Sequence, residues 1–415
     1  MQINLWIWII ALLSIFLIIL RPFKLSEAFW AVGGAVILIT FRLIRPFDAV
    51  NGVTKGIDVY LFLTGMMLLA EVARTEKLFD WLAALAVSYS KGSCNKLFLL
   101  VYAVGIVTTV FLSNDATAVV LTPAVFAAAK AAKVEKPLPY LLICAFIANA
   151  ASFVLPISNP ANLVIYGKQI PPLRSWLKMY SIPSLLSIVI TYSALYITQR
   201  RFLTVRIETN IAIPKLSPGG KLAGMGILLS AIVLTICSAL DISLGLPTAI
   251  TGITIFTIVT LRSQLKPVFV LKQISWAVLP MVAGLFVIVE GINRTGLLTL
   301  AKNWLSQSLS KSVPLTMWSS GFGIALISNF MNNLPSGLIA GSAVQAAAVP
   351  QIIQRSVLIG VDLGPNLSVT GSLATILWLV VLRREGEQIS AWQFLKIGFI
   401  VMLPTLTAAI ASLWI

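Results

Sequence analysis

Apolar runs long enough to cross a bilayer as a helix, about 20 residues, recur near 5–20, 27–44, 57–73, 138–156, 176–199, 222–240, 247–262, 275–293, 352–368 and 392–414. Two longer apolar stretches, about 97–129 and 315–348, each carry a short polar word near the middle. These words are Ser113-Asn114-Asp115-Ala116-Thr117 and Ser328-Asn329-Phe330-Met331-Asn332-Asn333. Each is followed by a proline, Pro123 or Pro335, and their first residues lie 215 positions apart. Hydrocarbon offers no water to an unpaired amide, so backbone breaks at membrane depth only against protein or a wet cavity. The pattern predicts two re-entrant hairpins, each entering and leaving by the same face. Prolines at 156, 160 and 365 interrupt the amide ladder of two further segments, about 138–168 and 352–382, and predict broken helices. The stretches 78–90 and 297–310 are amphipathic and are expected in the interface.

The ten runs divide into five crossings in each half of the chain. An odd number puts the start of the second half on the opposite face, so its topology is expected to be inverted. Internal similarity supports a duplication. Gly65-Met66-Met67-Leu68-Leu69-Ala70-Glu71 matches Gly284-Leu285-Phe286-Val287-Ile288-Val289-Glu290 at an offset of 219; Ser113-Asn114 matches Ser328-Asn329 at 215; Asn162 falls opposite Thr375 at 213. The expected fold is an all-α polytopic membrane protein of two inverted repeats of five transmembrane helices. The N-terminal repeat is 1–199, a cytoplasmic connector is 200–221, and the C-terminal repeat is 222–415. Matched breaks in two halves are the mark of a secondary transporter with its site between the repeats.

Composition agrees: the chain has 415 residues, 58% hydrophobic and 11% charged, against roughly 25% charged in soluble domains. The first run lacks a basic flank and a small-residue cleavage site, so it reads as a retained span. The net charge of +16 does not point to nucleic acid, because Lys and Arg are spread over the connections. On the predicted topology 20 of the 30 basic residues fall on one face. That face should be cytoplasmic, with both termini outside, in a bacterial inner membrane. The tryptophans, among them Trp6, Trp30, Trp176, Trp276, Trp392 and Trp414, mostly flank spans and read as an interfacial belt. There is no histidine, so proton coupling would run through carboxylates. Three widely spaced cysteines make no metal cage. No Gly-x-x-x-x-Gly-Lys-Ser/Thr loop or other catalytic constellation is present, so the chain reads as a transporter and not an enzyme, with no cofactor.

Candidate chemistry sits at the breaks. Ser113, Asn114, Asp115 and Thr117 place donors, acceptors and one carboxylate in the first hairpin. An ionised Asp at the bilayer centre costs about 2.5–3.5 kcal/mol on insertion scales and is tolerated if it faces a wet cavity, pairs or takes a proton. The bland alternative is a helix cap. The second hairpin offers Asn329, Asn332 and Asn333, which also serve as helix–helix glue in other membrane proteins. The first broken helix carries Asn149, Ser158, Asn159 and Asn162; the second carries Asp362, Thr370 and Ser372. Asp115 and Asp362 are the leading proton carriers. Glu290 and Glu71 are further candidates, although an arginine follows each (Arg294, Arg74) and a salt bridge or snorkelled helix end explains them better. Asp48, Asp58 and Asp241 read as loop or interface residues.

At these residues the chain resembles the ion transporter superfamily, and within it the arsenite efflux permease family, ArsB. The resemblance rests on Leu112-Ser113-Asn114-Asp115-Ala116-Thr117-Ala118 with Thr122-Pro123, on Ala148-Asn149-Ala150 through Ser158-Asn159 and Asn162-Leu163-Val164, and on Asn332-Asn333-Leu334-Pro335-Ser336. It covers nearly the whole chain. It implies extrusion of arsenite and antimonite, by proton antiport or as the membrane subunit of an arsenite-stimulated ATPase, with two hairpins and two broken helices around the site. Arsenite at neutral pH is an uncharged trihydroxide. A site of Asn, Ser and Thr without a basic residue agrees with that cargo. A sodium/proton antiporter and a silicate or dicarboxylate carrier of the same superfamily are the alternatives.

Overall fold

The computed structural model describes residues 2–20, 22–167, 170–204, 207–208, 213–240, 242–263 and 265–415; Asp241 and parts of the 200–221 connector lie outside them. All regular structure among these residues is helical. In the first half the helices are α1 (Gln2–Leu20), α2 (Glu27–Thr40), α3 (Pro46–Lys55), α4 (Ile57–Thr75), α5 (Leu78–Ser90), α6 (Cys94–Phe111), α7 (Asn114–Ala116), α8 (Thr122–Ala131), α9 (Leu138–Ala150), α10 (Pro160–Tyr166) and α11 (Leu173–Gln199). The second half has α12 (Pro218–Ala239), α13 (Gly245–Arg262), α14 (Pro267–Gln273), α15 (Val278–Arg294), α16 (Leu297–Lys311), α17 (Val313–Met331), α18 (Asn333–Ala347), α19 (Gln351–Leu363), α20 (Leu373–Arg384) and α21 (Ala391–Ala411).

Among the described residues, five single helices are long and apolar enough to cross a membrane: Cys94–Phe111, Leu173–Phe202, Pro218–Ala239, Gly245–Arg262 and Ala391–Trp414. Two bent pairs, Pro46–Lys55 with Ile57–Thr75 at 47° and Pro267–Gln273 with Val278–Arg294 at 41°, raise the number to seven. Ten crossings were expected. The runs near 5–20 and 27–44 form shorter apolar helices, Asn4–Ile18 and Glu27–Thr40, and the runs from 138 and 352 stop halfway as α9 and α19. The α6 limb of the first expected hairpin is itself of spanning length.

Packing repeats between the halves. Helix α4 packs along α13, and α15 packs along α2. Helix α5 lies against α6 and α8, while α16 lies against α17 and α18. The duplicated glycines explain the first pair of crossings. A Cβ on Gly65 would run into the backbone carbonyl of Thr248 in α13, and a Cβ on Gly284 would come 2.6 Å from the carbonyl carbon of Ala31 in α2. The same residue, 219 positions apart, does the same work in each half: it lets two backbones touch, the usual route to tight helix association without a hydrophobic drive.

The breaks form as the local chemistry dictates. Helix α6 ends at Leu112, and extended Ser113 caps α7 through its Oγ, which accepts from the Ala116 N–H at 3.1 Å. Pro123 then denies an amide to the preceding turn, and the chain widens there into a π-helical turn, Thr117–Leu121. Between α17 and α18 the reversal is made by Asn332 at φ 73° and ψ 156°, a positive-φ conformation outside the left-handed helical well that side-chain-bearing residues seldom adopt. Helix α9 gives way to a turn, then to Pro156–Ser158, before Asn159 caps α10 by accepting from the Ala161 N–H at 3.0 Å. Ser372, 213 positions later, caps α20 in the same way at the Thr375 N–H, 3.1 Å.

Candidate functional site

The two broken helices meet in the core of the protein, and their polar ends bond across the halves. Asn159 Nδ2 donates to Asp362 Oδ1 at 2.7 Å. Asn149 Nδ2 donates to Asn366 Oδ1 at 3.0 Å and to Thr375 Oγ1 at 3.4 Å, and Asn366 Nδ2 donates to the Phe146 carbonyl at 3.2 Å. Thr375 in turn shares a 2.7 Å hydroxyl contact with Ser372. Asn162 Nδ2 donates to the Ser152 carbonyl at 2.8 Å. All of these side chains are buried, and Asp362 is 0% exposed. Three acceptors in the cluster, Asn149 Oδ1, Asn162 Oδ1 and Asp362 Oδ2, accept no hydrogen bond among the described residues. Buried acceptors without partners are rare in native structures, and these three mark the junction as the candidate site.

Each hairpin tip is tied to the break of its own half. Ser158 Oγ donates to the Val110 carbonyl in α6 at 3.0 Å. In the second half Asn329 Nδ2 donates to the Gly364 carbonyl at 3.0 Å, Ser368 Oγ donates to Asn329 Oδ1 at 2.7 Å, and Thr370 Oγ1 donates to the Asn329 carbonyl at 3.0 Å. The second limb of each hairpin then packs on the far half-helix of the other repeat: α18 on α10, and α7 and α8 on α20.

Of the residues picked from sequence, Asn159 and Asp362 bond directly, and Asn149 is joined to Ser372 through Thr375. Asn329 and Thr370 form a second knot. Asn114, Thr117, Asn332 and Asn333 stand at the hairpin tips, where much of their bonding is local. Asn114 Oδ1 accepts from the Asp115 N–H at 2.9 Å, Thr117 Oγ1 contacts Thr109 Oγ1 at 2.8 Å, and Asn332 Oδ1 accepts from the Leu334 N–H. Asp115 is partly exposed, and its carboxylate takes no donor among the described residues. Glu71 and Glu290 are not part of the junction. Glu71 pairs with Arg74, which also holds Gln273, and Glu290 pairs with Lys55 at 2.7 Å and Arg294 at 3.7 Å.

Asp48 is buried in α3 and pairs with Arg294 at 2.6 Å, while Asp58 Oδ1 accepts from the Gly245 N–H at 2.9 Å. Trp176 is not an interfacial anchor: it is fully buried, and its Nε1 donates to the Phe153 carbonyl, freed beyond the end of α9, at 3.1 Å. Sequence reasoning left Ser152, Asn366, Ser368 and Thr375 out of the site. Their signal was present, since each is a small polar residue inside an interrupted apolar segment.

Beside the junction lies an open cavity of about 1840 Å³. The C-terminal end of α10, the end of α18, the start of α19 and the α3–α4 and α15 ends line it, with Lys55, Lys178 and Arg355 as its cations. The α10–α18 contact, fastened by Gln345 Nε2 donating to the Ile165 carbonyl at 3.0 Å, forms part of its wall.

Comparison with known proteins bears on this arrangement. The citrate transporter family, CitMHS, matches residues 9–362. The arsenical pump membrane protein of Escherichia coli K12 is 25% identical over 418 residues, covering 97% of both chains. The protein of the same name from Yersinia enterocolitica is 25% identical over 346 residues, 81% of each. The crystal structure of the YdaH transporter of Alcanivorax borkumensis superposes with a TM-score of 0.55 at 14% identity, covering 88% of this chain and 86% of that one, and shares its fold. This chain is a multi-pass membrane transporter and belongs to the CitMHS family, with near full-length similarity to the arsenical pump membrane proteins.

Proposed function

We propose that this transporter extrudes arsenite and antimonite as neutral trihydroxides in exchange for protons. The chemistry of the buried junction carries the reading. Its polar groups are amides, hydroxyls and one carboxylate, and among the described residues no lysine or arginine hydrogen-bonds to any of them. A trihydroxide donates and accepts in equal measure, and the open acceptors, Asn149 Oδ1 and Asn162 Oδ1 of the first half and Asp362 Oδ2 of the second, suit its three O–H groups. An anion would need a compensating charge at that depth.

Asp362 and Asp115 carry the protons. At about 1.5 Å per residue, the stretch from Gln351 to Asp362 sets that carboxylate about 16 Å along the axis of α19, near the middle of a hydrocarbon core of about 30 Å. A carboxylate there exchanges protons only when a path opens to water, which lets protonation alternate with cargo binding. The two halves lie inverted in the bilayer, and the connector at 200–221 is cytoplasmic. The cavity then opens outward, and the molecule is in an outward-facing state.

Arsenite accumulation in cells lacking their own efflux system tests the cargo: expression of this chain lowers it, and unchanged accumulation overturns the reading. A polycarboxylate is the second reading, favoured by Lys55, Lys178 and Arg355 in the cavity. Citrate uptake into proteoliposomes, with no metalloid flux, would select it.

A further inference from the structure

Two buried phenols need an explanation that packing does not give. The hydroxyls of Tyr166 in α10 and Tyr180 in α11 share a 2.8 Å hydrogen bond, and the residues are 4% and 0% exposed. The Tyr180 ring sits 4.6 Å from the Trp176 ring and 6.1 Å from the Phe153 ring. Phenylalanine would fill the same space without burying an oxygen. Tyr166 and Arg355 both line the open cavity. Phe153 follows Ser152 in the break after α9; Asn162 of α10 holds the Ser152 carbonyl at 2.8 Å, and Asn159 at the start of α10 holds Asp362 Oδ1. Asp362 Oδ2 accepts no hydrogen bond of normal geometry among the described residues. The phenol pair therefore links the cavity edge to the break that holds the buried carboxylate.

We infer that Tyr166 and Tyr180 are the proton path joining the cavity to Asp362. The inference rests on the reading of Asp362 as a proton carrier. In the inward sense a water proton bonds to Tyr166 Oη while the proton already there passes to Tyr180 Oη. Tyr180 releases its own proton through intervening water to Asp362 Oδ2. Each phenol ends with one proton, as it began, and no electrons move. Rotation of the two hydroxyls resets the chain. The Arg355 guanidinium disfavours a resident hydronium beside the pair, so relay through neutral hydroxyls is the cheaper route. The path is one-sided: at the duplication offset of 213, the matching positions are Leu379 and Gln393, which cannot relay a proton in this way. One face of the protein is thus equipped to load the carboxylate, as an exchanger driven from one side requires.

Hydrogen–deuterium exchange of the Asp362 carboxyl, followed by difference infrared spectroscopy on the full chain in liposomes, tests this without knowledge of the cargo. The band is assigned by its loss in Asp362→Asn. Tyr180→Phe and, at the cavity edge, Tyr166→Phe each slow exchange by on the order of 100-fold while the size-exclusion profile stays that of the wild type. Wild-type exchange in both variants overturns the path and leaves Asp362 as a proton site. The absence of any carboxyl band that disappears in Asp362→Asn overturns the proton-site reading itself.

Discussion

The Asn159 amide donates to Asp362 Oδ1 over 2.7 Å, joining residues 203 positions apart in the two halves of the chain. One partner is the N-cap of a half-helix and the other closes a half-helix. The bond therefore fixes the two breaks against each other while leaving Asp362 Oδ2 free. Replacing either partner separates its structural part from its chemical part. Asp362→Asn keeps a side-chain oxygen for Asn159 but has no ionisable group; pH-gradient-driven transport should be abolished in everted vesicles with thermal stability near wild type. Asn159→Ala leaves a buried acceptor unpaired and should cost about 1–3 kcal/mol, read as a lowered melting temperature in detergent.

Asn329 binds the second hairpin tip to the second break with side-chain bonds to Gly364 and Ser368. Asn329→Ala removes both and should destabilise by about 1–3 kcal/mol. Because the loss falls on the junction, transport should decline more steeply than the amount of protein in the membrane. A proportional fall in both would show that Asn329 only supports the fold.

The acids at the ends of α4 and α15 answer to a different test. Glu290 is held by Lys55, which is 61% exposed, and by Arg294; exposed pairs of this kind contribute about 0–1 kcal/mol. Glu290→Gln and Glu71→Gln should leave proton-coupled transport in place. Loss of coupling in either, with normal expression, would move the proton site outward to these residues.

Helix contact at the duplicated glycines has no slack. A side chain at Gly65 meets the Thr248 carbonyl and one at Gly284 meets that of Ala31, and backbone cannot step aside as a side chain can. Gly65→Val and Gly284→Val should each lower stability by about 1–3 kcal/mol or more, measured by thermal aggregation of the purified protein. Tolerance of valine at both sites would mean the crossings are looser than this packing.

Orientation is open to labelling. In a background with Cys237 replaced, Ser175→Cys at the cavity wall should react with a membrane-impermeant maleimide in intact cells. Lys133→Cys, next to the connector through its pair with Glu208, should react only after permeabilisation. The reverse pattern would invert the topology.

Much of the architecture could be read from linear patterning. Hydrocarbon forces a transmembrane backbone to satisfy itself, so each interruption of an apolar run had to be a built break, and all four interruptions are breaks in the structure. The run of Ser113 through Thr117, Asn332 at the second reversal, and the prolines at 156, 160 and 365 each announce a local event decided by neighbours a few residues away. The duplicated Gly65 and Gly284 were visible for the same reason. Span count was harder to read, because apolar length does not reveal whether a helix bends, as α3–α4 and α14–α15 do, or stops halfway, as α9 and α19 do.

Which polar groups meet was decided by tertiary structure alone. The register between the halves comes from the α4–α13 and α2–α15 crossings, and that register brings Asn159 to Asp362 and Asn149 to Asn366. Nothing in either local stretch specifies the partner. The same packing turned Trp176 from a surface anchor into a buried donor and set Tyr166 against Tyr180. Local sequence fixes where a membrane helix must break, because each exposed amide is costly there. Only the contact between the two halves decides what the broken ends hold.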